Sequence, residues 1–214
     1  MKRLFVTGTD TGAGKTFVTA ALARRARELG RKVFAYKPIE TGCERVGGHL
    51  VGPDQEIIST AAGGWQTGPQ RGVYQFVNAV APLVASELEH SPIDLNLIAK
   101  VANSETSVDL LIVEGAGGWR VPITTTADMA VLARQLETKV VVVARAGLGT
   151  INHSLLTVEA VERDGCSVAA VVLSRRPDED ASFAQSNRDQ IHRRWPGPVL
   201  VFDTNTRVLD PLLG

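Results

Sequence analysis

VTGTDTGAGKT, Val6 to Thr16, sits between an apolar run (Leu4, Phe5, Val6) and a helix-like segment that begins near Thr16. A strand that delivers the chain into a glycine-rich turn and then a helix builds a cradle for phosphate. Successive backbone N–H groups face inward, and the helix adds the positive end of its dipole. Gly12 and Gly14 permit backbone angles and a close approach that a Cβ would obstruct, Lys15 has the reach for the outer phosphates, and the Thr16 hydroxyl suits magnesium. The strict motif has its first glycine at position 9; this chain has Thr9 there and Gly8 one place earlier, so the loop is a variant. A glycine turn without chemistry is the competing reading, and GKT at a strand-to-helix junction disfavours it.

Outward from this loop, apolar runs of strand length alternate with helical patterns. That predicts an α/β fold of the P-loop NTPase kind, a mostly parallel central sheet with helices on both faces. Val18, Leu22, Ala26 and Leu29 recur at helical spacing opposite Arg24, Arg25 and Glu28, and Gly30 ends that helix. Further strands are expected at 33–37, 109–113, 139–144, 168–173 and 199–202, and helices near 79–88, 93–102, 127–136, 152–163 and 183–194. Between Glu40 and Gln75 eight glycines break the pattern, so the expectation there is long loops around a short helix near 53–62. Glu114-Gly115-Ala116-Gly117-Gly118 reads as a second glycine-rich turn, and GLGTINH at 147–153 as a third.

The 214 residues predict one domain, 1–214, with a sizeable core. Basic and acidic residues balance at 23 each, so no global field recruits nucleic acid or an anionic membrane. No stretch is long enough to span a bilayer and the apolar run in MKRLFVTG is too short for a leader, so a cytoplasmic protein without membrane or nucleic-acid partners is expected. Cys43 and Cys166 lie far apart with no CxxC spacing and read as reduced thiols. No His or Cys cluster has metal-ligand spacing.

In sheets of this class ligands bind outside the strand C-terminal ends, where the phosphate loop, Lys37, Glu114 and the GLGT turn are expected to converge. Glu114 stands where a nucleotide hydrolase keeps the acid that holds magnesium; a plain loop carboxylate is the alternative. Lys37 is either a solvated strand end or a second cation for charge developing in phosphoryl transfer. At ~4 Å and an effective dielectric near 20, such a pairing is worth on the order of 4 kcal/mol before desolvation. Asp54 either completes a magnesium shell with Thr16 and Glu114 or caps the helix it opens. Gly149, Thr150 and Asn152 open another helix and could offer N–H donors and an amide to a carboxylate, although Thr150 taken alone reads as a cap. His153 reads as structural, and Trp119 as either a wall for an apolar part of a substrate or a core or rim aromatic.

Taken in order, GTDTGAGKT (8–16), YKPIETG (36–42), VEGAGGW (113–119) and GLGTINH (147–153) resemble the dethiobiotin synthases of the biotin pathway, over about the whole chain. Lys-Pro-x-x-x-Gly followed by Glu-Gly-Ala-Gly-Gly is the specific part. The resemblance implies a homodimeric ligase, dependent on ATP and magnesium, that closes the ureido ring of dethiobiotin from 7,8-diaminopelargonic acid and carbon dioxide. One amine captures carbon dioxide as a carbamate, the carbamate takes the γ-phosphate, and the second amine displaces phosphate. The resemblance places Thr11, Gly12, Ala13, Gly14, Lys15, Thr16, Phe17 and Ser174 around the nucleotide, with Lys15 and Lys37 catalytic on the γ-phosphate and carbamate. It places Thr16, Asp54 and Glu114 on magnesium, Thr41, Gly117 and Gly118 with Thr11 beside the diamine or carbamate, and Gly149, Thr150 and Asn152 on the substrate carboxylate in the other subunit's site. Ring closure is intramolecular, so orientation can supply ~7–11 kcal/mol and no general base is nominated.

The chain departs from the family in three places. Many members carry Glu at the position of Gly12 and a Ser-Pro-His stretch at Ala81-Pro82-Leu83. Members that read adenine place an asparagine near Ser174-Arg175, which is missing here, so the base is left open and other nucleoside triphosphates remain candidates. The rival reading is a nucleotide-switch ATPase of the partitioning type; those carry an extra lysine early in the phosphate loop, where this chain has Gly8-Thr9-Asp10, and no amphipathic C-terminal membrane helix is expected here. The amidating ligases of cobalamin synthesis append a glutamine-hydrolysing domain, for which 214 residues leave no room.

Overall fold

β1 (Lys2–Gly8) is apolar without interruption from Leu4 to Val6 because it is covered on both faces. The computed structural model describes residues 1–177 and 179–214. After β1 come α1 (Lys15–Glu28), β2 (Val33–Tyr36), β3 (Ile39–Thr41), β4 (Glu44–Val46), β5 (His49–Val51), α2 (Pro53–Ala61) and β6 (Tyr74–Phe76). Then follow α3 (Pro82–Leu88), α4 (Leu95–Ala102), β7 (Leu110–Gly118), α5 (Met129–Gln135), β8 (Lys139–Arg145), α6 (Thr150–Arg163), β9 (Val168–Ser174), α7 (Ala181–His192) and β10 (Val199–Phe202). Short 3-10 turns cover Gly68–Gln70 and Thr206–Leu212.

Six strands form one parallel sheet in the order β10-β9-β8-β1-β7-β2, as the alternation of apolar runs and helices requires. Side chains alternate across it. Leu4, Val6, Ile112, Val141 and Val143 pack under α1, α2 and the C-terminal 3-10 turn. Phe5, Leu111, Val113, Val140 and Val142 pack under α3 to α7. Each such side chain, fully buried, contributes ~1.5–3 kcal/mol.

This alternation aims the site. Tyr36 lies opposite Val113 in the parallel ladder and both point to the α3–α7 face. The next residue on each strand, Lys37 and Glu114, therefore turns to the opposite face, where α1 carries Thr16 and α2 carries Asp54.

The structure corrects the sequence reading in the glycine-rich stretches. The strand expected to stop at Val113 runs on through Glu114 to Gly118, beside Gly8 of β1. A Cβ on Gly115 would stand 3.0 Å from the Phe5 ring, so that glycine serves close packing within a strand and not a turn. The supposed loops between Glu40 and Gln75 hold two small sheets, β3 paired with β6 and β4 paired with β5. The helix expected from position 79 starts at Pro82, a residue suited to the first helical turn because it has no N–H to leave unpaired.

Candidate functional site

The phosphate loop hangs between two neighbours. Thr9 N–H donates to the Val143 carbonyl of β8 at 2.9 Å, and Val18 N–H to the Gly14 carbonyl at 3.0 Å. Gly12 and Gly14 have φ of +71° and +97°, a region that side chains rarely adopt. Gly14 is the N-cap of α1 and no side chain caps that end, which leaves the positive end of the dipole facing the loop. Lys15 folds back over the loop with Nζ 3.3 Å from the Asp10 carbonyl. Burial pulls its pKa below the ordinary lysine value, with Glu114 opposing that effect and Lys37 adding to it.

A buried charge cluster faces the loop. Glu114 is 0% exposed; its Oε1 accepts from the Thr16 hydroxyl at 2.8 Å and forms an ion pair with Lys37 Nζ at 3.0 Å. Lys37 also donates to Asp54. Burial by itself would lower the Lys37 pKa, but the Glu114 and Asp54 carboxylates outweigh it and hold the ammonium above the ordinary lysine value. Asp54 is set in place by Glu40, whose carboxylate accepts from Asp54 N–H at 2.9 Å and Gln55 N–H at 2.8 Å. Gly52 is the N-cap of α2, so the capping role considered for Asp54 belongs to Glu40, reaching over from β3. Burial raises the Glu40 pKa, against the pull of Lys37.

These groups border a cavity of about 580 Å³ lined by Thr11, Gly12, Gly14, Lys15, Thr16, Phe17, Lys37, Thr41, Asp54 and Gly117, with Ala79 to Pro82 and Val121 opposite. Glu114, fully buried, meets it through Thr16 and Lys37. Glu114 Oε2 is buried with no hydrogen-bond partner among the described residues. Glu114, with one oxygen orphaned and the other bonded to the Thr16 hydroxyl, and Asp54, which meets the same Lys37, offer hard oxygen donors of the kind magnesium takes. Among the described residues no three His, Cys, Asp or Glu side chains gather as a metal site, so phosphate and water oxygens would supply the remaining positions.

Two recesses adjoin. Ala13, Phe17 and Ser174 line one of about 310 Å³ with Arg175 and Asp203. Phe17 packs there against Phe202, ring centroids 4.9 Å apart. Thr150 lines the other, about 90 Å³, with Thr9, Asp10, Arg145, Leu148 and His153.

A family model described as an AAA domain matches residues 2–201. The ATP-dependent dethiobiotin synthetase BioD of Anaeromyxobacter dehalogenans (strain 2CP-C) is 41% identical, over 90% of this chain and 85% of its own. This chain belongs to the dethiobiotin synthetase family. The synthetases of Cellvibrio japonicus (strain Ueda107) and Aromatoleum aromaticum (strain DSM 19018 / LMG 30748 / EbN1) are 37% and 36% identical. They cover 93% and 97% of this chain and 87% and 92% of their own. Among solved structures, the septum site-determining protein MinD of Pyrococcus horikoshii OT3, complexed with Mg-ADP, superposes with a TM-score of 0.57 at 17% identity over 99% of this chain and 85% of its own. The signal recognition particle receptor FtsY of Elizabethkingia anophelis gives 0.55 at 13% over 100% and 65%. At those identities the likeness is one of fold.

For this dethiobiotin synthetase family member the structure gathers the loop residues, Lys37, Thr41, Asp54 and Gly117 into one cavity. Gly118 is set back from it, beside the backbone of Gly8 and Thr9. Gly149 and Asn152 are exposed and line none of the three cavities described. Thr150 is the first residue of α6 behind the N-cap Gly149, its hydroxyl 3.4 Å from Ser154 Oγ, so it is not the cap. His153 is exposed at a recess and not structural. Trp119 is a core aromatic, 3% exposed, edge-on to Phe5 and donating to Asp164 at 2.7 Å. Two residues escaped the sequence reading. Arg145, whose guanidinium donates to the Thr11 carbonyl at 3.1 Å, was signalled by a cation ending the VVVVAR strand beside β1. Glu40 was signalled only by a carboxylate three residues past Lys37.

Proposed function

We propose that this chain is an ATP-dependent dethiobiotin synthetase, joining 7,8-diaminopelargonic acid and carbon dioxide into a cyclic urea with conversion of ATP to ADP and phosphate. The observation that carries the reading is Lys37, a buried ammonium fixed between Asp54 and Glu114 at the border of the phosphate-loop cavity. One amine of the diamine adds to carbon dioxide and loses a proton, giving a carbamate. Lys15 and Lys37 offset the charge of carbamate and γ-phosphate as a carbamate oxygen attacks phosphorus and the bond to ADP breaks. The second amine attacks the carbonyl carbon, phosphate leaves, and the five-membered ring closes. Both ends of that last step belong to one molecule, so Thr11, Thr41 and Gly117, which line the cavity, act by orientation, while Gly118 packs behind them on the loop backbone.

Magnesium held by Thr16, Asp54 and Glu114 would neutralise the β- and γ-phosphate oxygens. Phe17, Ala13 and Ser174 border the space for the rest of the nucleotide. The reading includes a homodimer in the cytoplasm, with Gly149, Thr150 and Asn152 of one subunit receiving the substrate carboxylate at its partner's cavity. Leu148, 96% exposed at the tip of that turn, is the apolar side chain that such a contact would cover.

The test is detection of the cyclic urea by mass spectrometry after mixing protein, magnesium, ATP, bicarbonate and diamine, with each omitted in turn. Product needing all of them, with equal ADP, is expected. ATP hydrolysis indifferent to the diamine, without product, would overturn the reading.

A further inference from the structure

A cavity of about 380 Å³ opens at the other end of the sheet, against Val33 at the start of β2 and Val108 ahead of β7. Ligands of open α/β sheets bind outside the strand carboxyl ends, so the reaction above makes no use of this amino end. Three cations line it: Arg27 in the last turn of α1, then Arg31 and Lys32. None of the three forms an ion pair among the described residues. The one lining carboxylate, Glu105, is engaged by its own turn, accepting from the Ser107 N–H at 3.0 Å and hydroxyl at 2.6 Å. In a chain of zero formal charge this is a local positive surplus.

Helix α1 presents its negative dipole end here, and Arg25 and Arg27 in its last turn complement it. Arg31 and Lys32 lie beyond that need. Trp65 completes the lining, 39% exposed yet fixed, its Nε1 donating to the Val33 carbonyl at 3.1 Å and its ring 5.6 Å from that of Phe34. Arg27 donates to the Ala61 carbonyl at 3.4 Å and neither it nor Arg31 has a carboxylate partner among the described residues, so a held indole beside these guanidinium groups offers a stacking surface together with fork-like donors for an acidic group.

We infer that this cavity binds a small molecule that joins a flat ring to an anionic group, the ring against Trp65 and the anion among Arg27, Arg31 and Lys32. Naphthalene-2-sulfonate is the probe, titrated calorimetrically into the whole protein, with naphthalene-2-sulfonamide as its neutral counterpart. Expected is one saturable site per chain, unaffected by saturating ATP and weakened about tenfold or more by Trp65→Leu and by Arg31→Ala with Lys32→Ala. The sulfonamide should bind at least about tenfold more weakly. The surface pair Arg31 and Lys32 leaves the core intact, and circular dichroism of each variant checks the fold. Several equivalents bound without saturation, displacement by ATP, equal binding of the sulfonamide, or affinity unchanged in the folded double variant would each overturn the inference.

Discussion

Lys37 Nζ stands 3.0 Å from Glu114 Oε1, an ion pair in which the lysine side chain is 7% exposed and the carboxylate 0%. Removing one partner strands the other. Lys37→Met should lower stability by ~3–5 kcal/mol in urea unfolding, because Glu114 stays buried without its counter-charge. Turnover should fall about 100-fold or more while ATP affinity stays within a few-fold. Lys37→Met with Glu114→Gln should regain much of the stability and none of the turnover. Equal losses of ATP affinity and turnover in Lys37→Met would reduce the lysine to a binding residue. Because the folded pKa of Lys37 is raised, its pairing stabilises the fold across neutral pH and fades only as pH rises through that folded value.

Gly14 and Gly12 both have left-handed backbone, but their surroundings differ. A Cβ on Gly14 would meet Ser174 Oγ at 2.4 Å, whereas one on Gly12 meets only the Arg145 guanidinium at 3.4 Å. Both alanine variants should lose ~1–2 kcal/mol from the backbone, and Gly14→Ala should lose more, together with ATP binding. Calorimetric titration of ATP into the two variants decides it; equal behaviour would refute the role given to Ser174.

How far the sequence spoke for the fold follows from periodicity. The six strands of the main sheet and α1 were legible because two-sided burial leaves unbroken apolar runs and helical spacing leaves a stripe. β3 to β6 are three residues each, too short for any period to register. The stretch Gly115–Gly118 misled because glycine marks turns and also close packing, and what distinguishes the two lies distant in sequence, the Phe5 ring over Gly115 and the Gly8 and Thr9 backbone beside Gly118. Within the site, Lys15, Thr16, Lys37 and Glu114 could be read from their places after strands. Arg145 and Glu40 act on backbone groups far along the chain, which no spacing announces.

Leu148 should lie in the proposed subunit contact. Leu148→Asp should shift the sedimentation profile toward monomer and raise KM for the diamine while sparing ATP binding. A variant that stays dimeric with unchanged KM would remove this turn from the interface.

The Asp203 carboxyl, held by the Asn205 and Thr204 N–H groups and then Arg175, sits at about 2 against an ordinary 3.8. A depressed carboxyl stabilises the fold fully above its unfolded value and loses that contribution as pH falls from about 4 toward about 2. Urea unfolding across that window should steepen less with acid in Asp203→Asn. Parallel curves for the two proteins would deny Asp203 its part.

Cys43 is buried and its thiol is pushed up to about 11 by that burial. It should react with a disulfide reagent far more slowly than Cys166 at neutral pH, and at a common rate only after unfolding. Mass mapping of the labelled peptides would show the order.

Because Lys37 and Glu114 each follow a paired residue, Tyr36 and Val113, their separation belongs to the register of two adjacent strands. That makes the chemistry sensitive to chain length in an uneven way. A residue inserted between Asn103 and Ser107, ahead of β7, leaves the ladder in step and should be absorbed by the turn. One inserted between Leu110 and Val113 reverses the facing of all that follows and sends the carboxylate to the wrong side of the sheet. Homologues should therefore vary in length before this strand and keep a constant count within it.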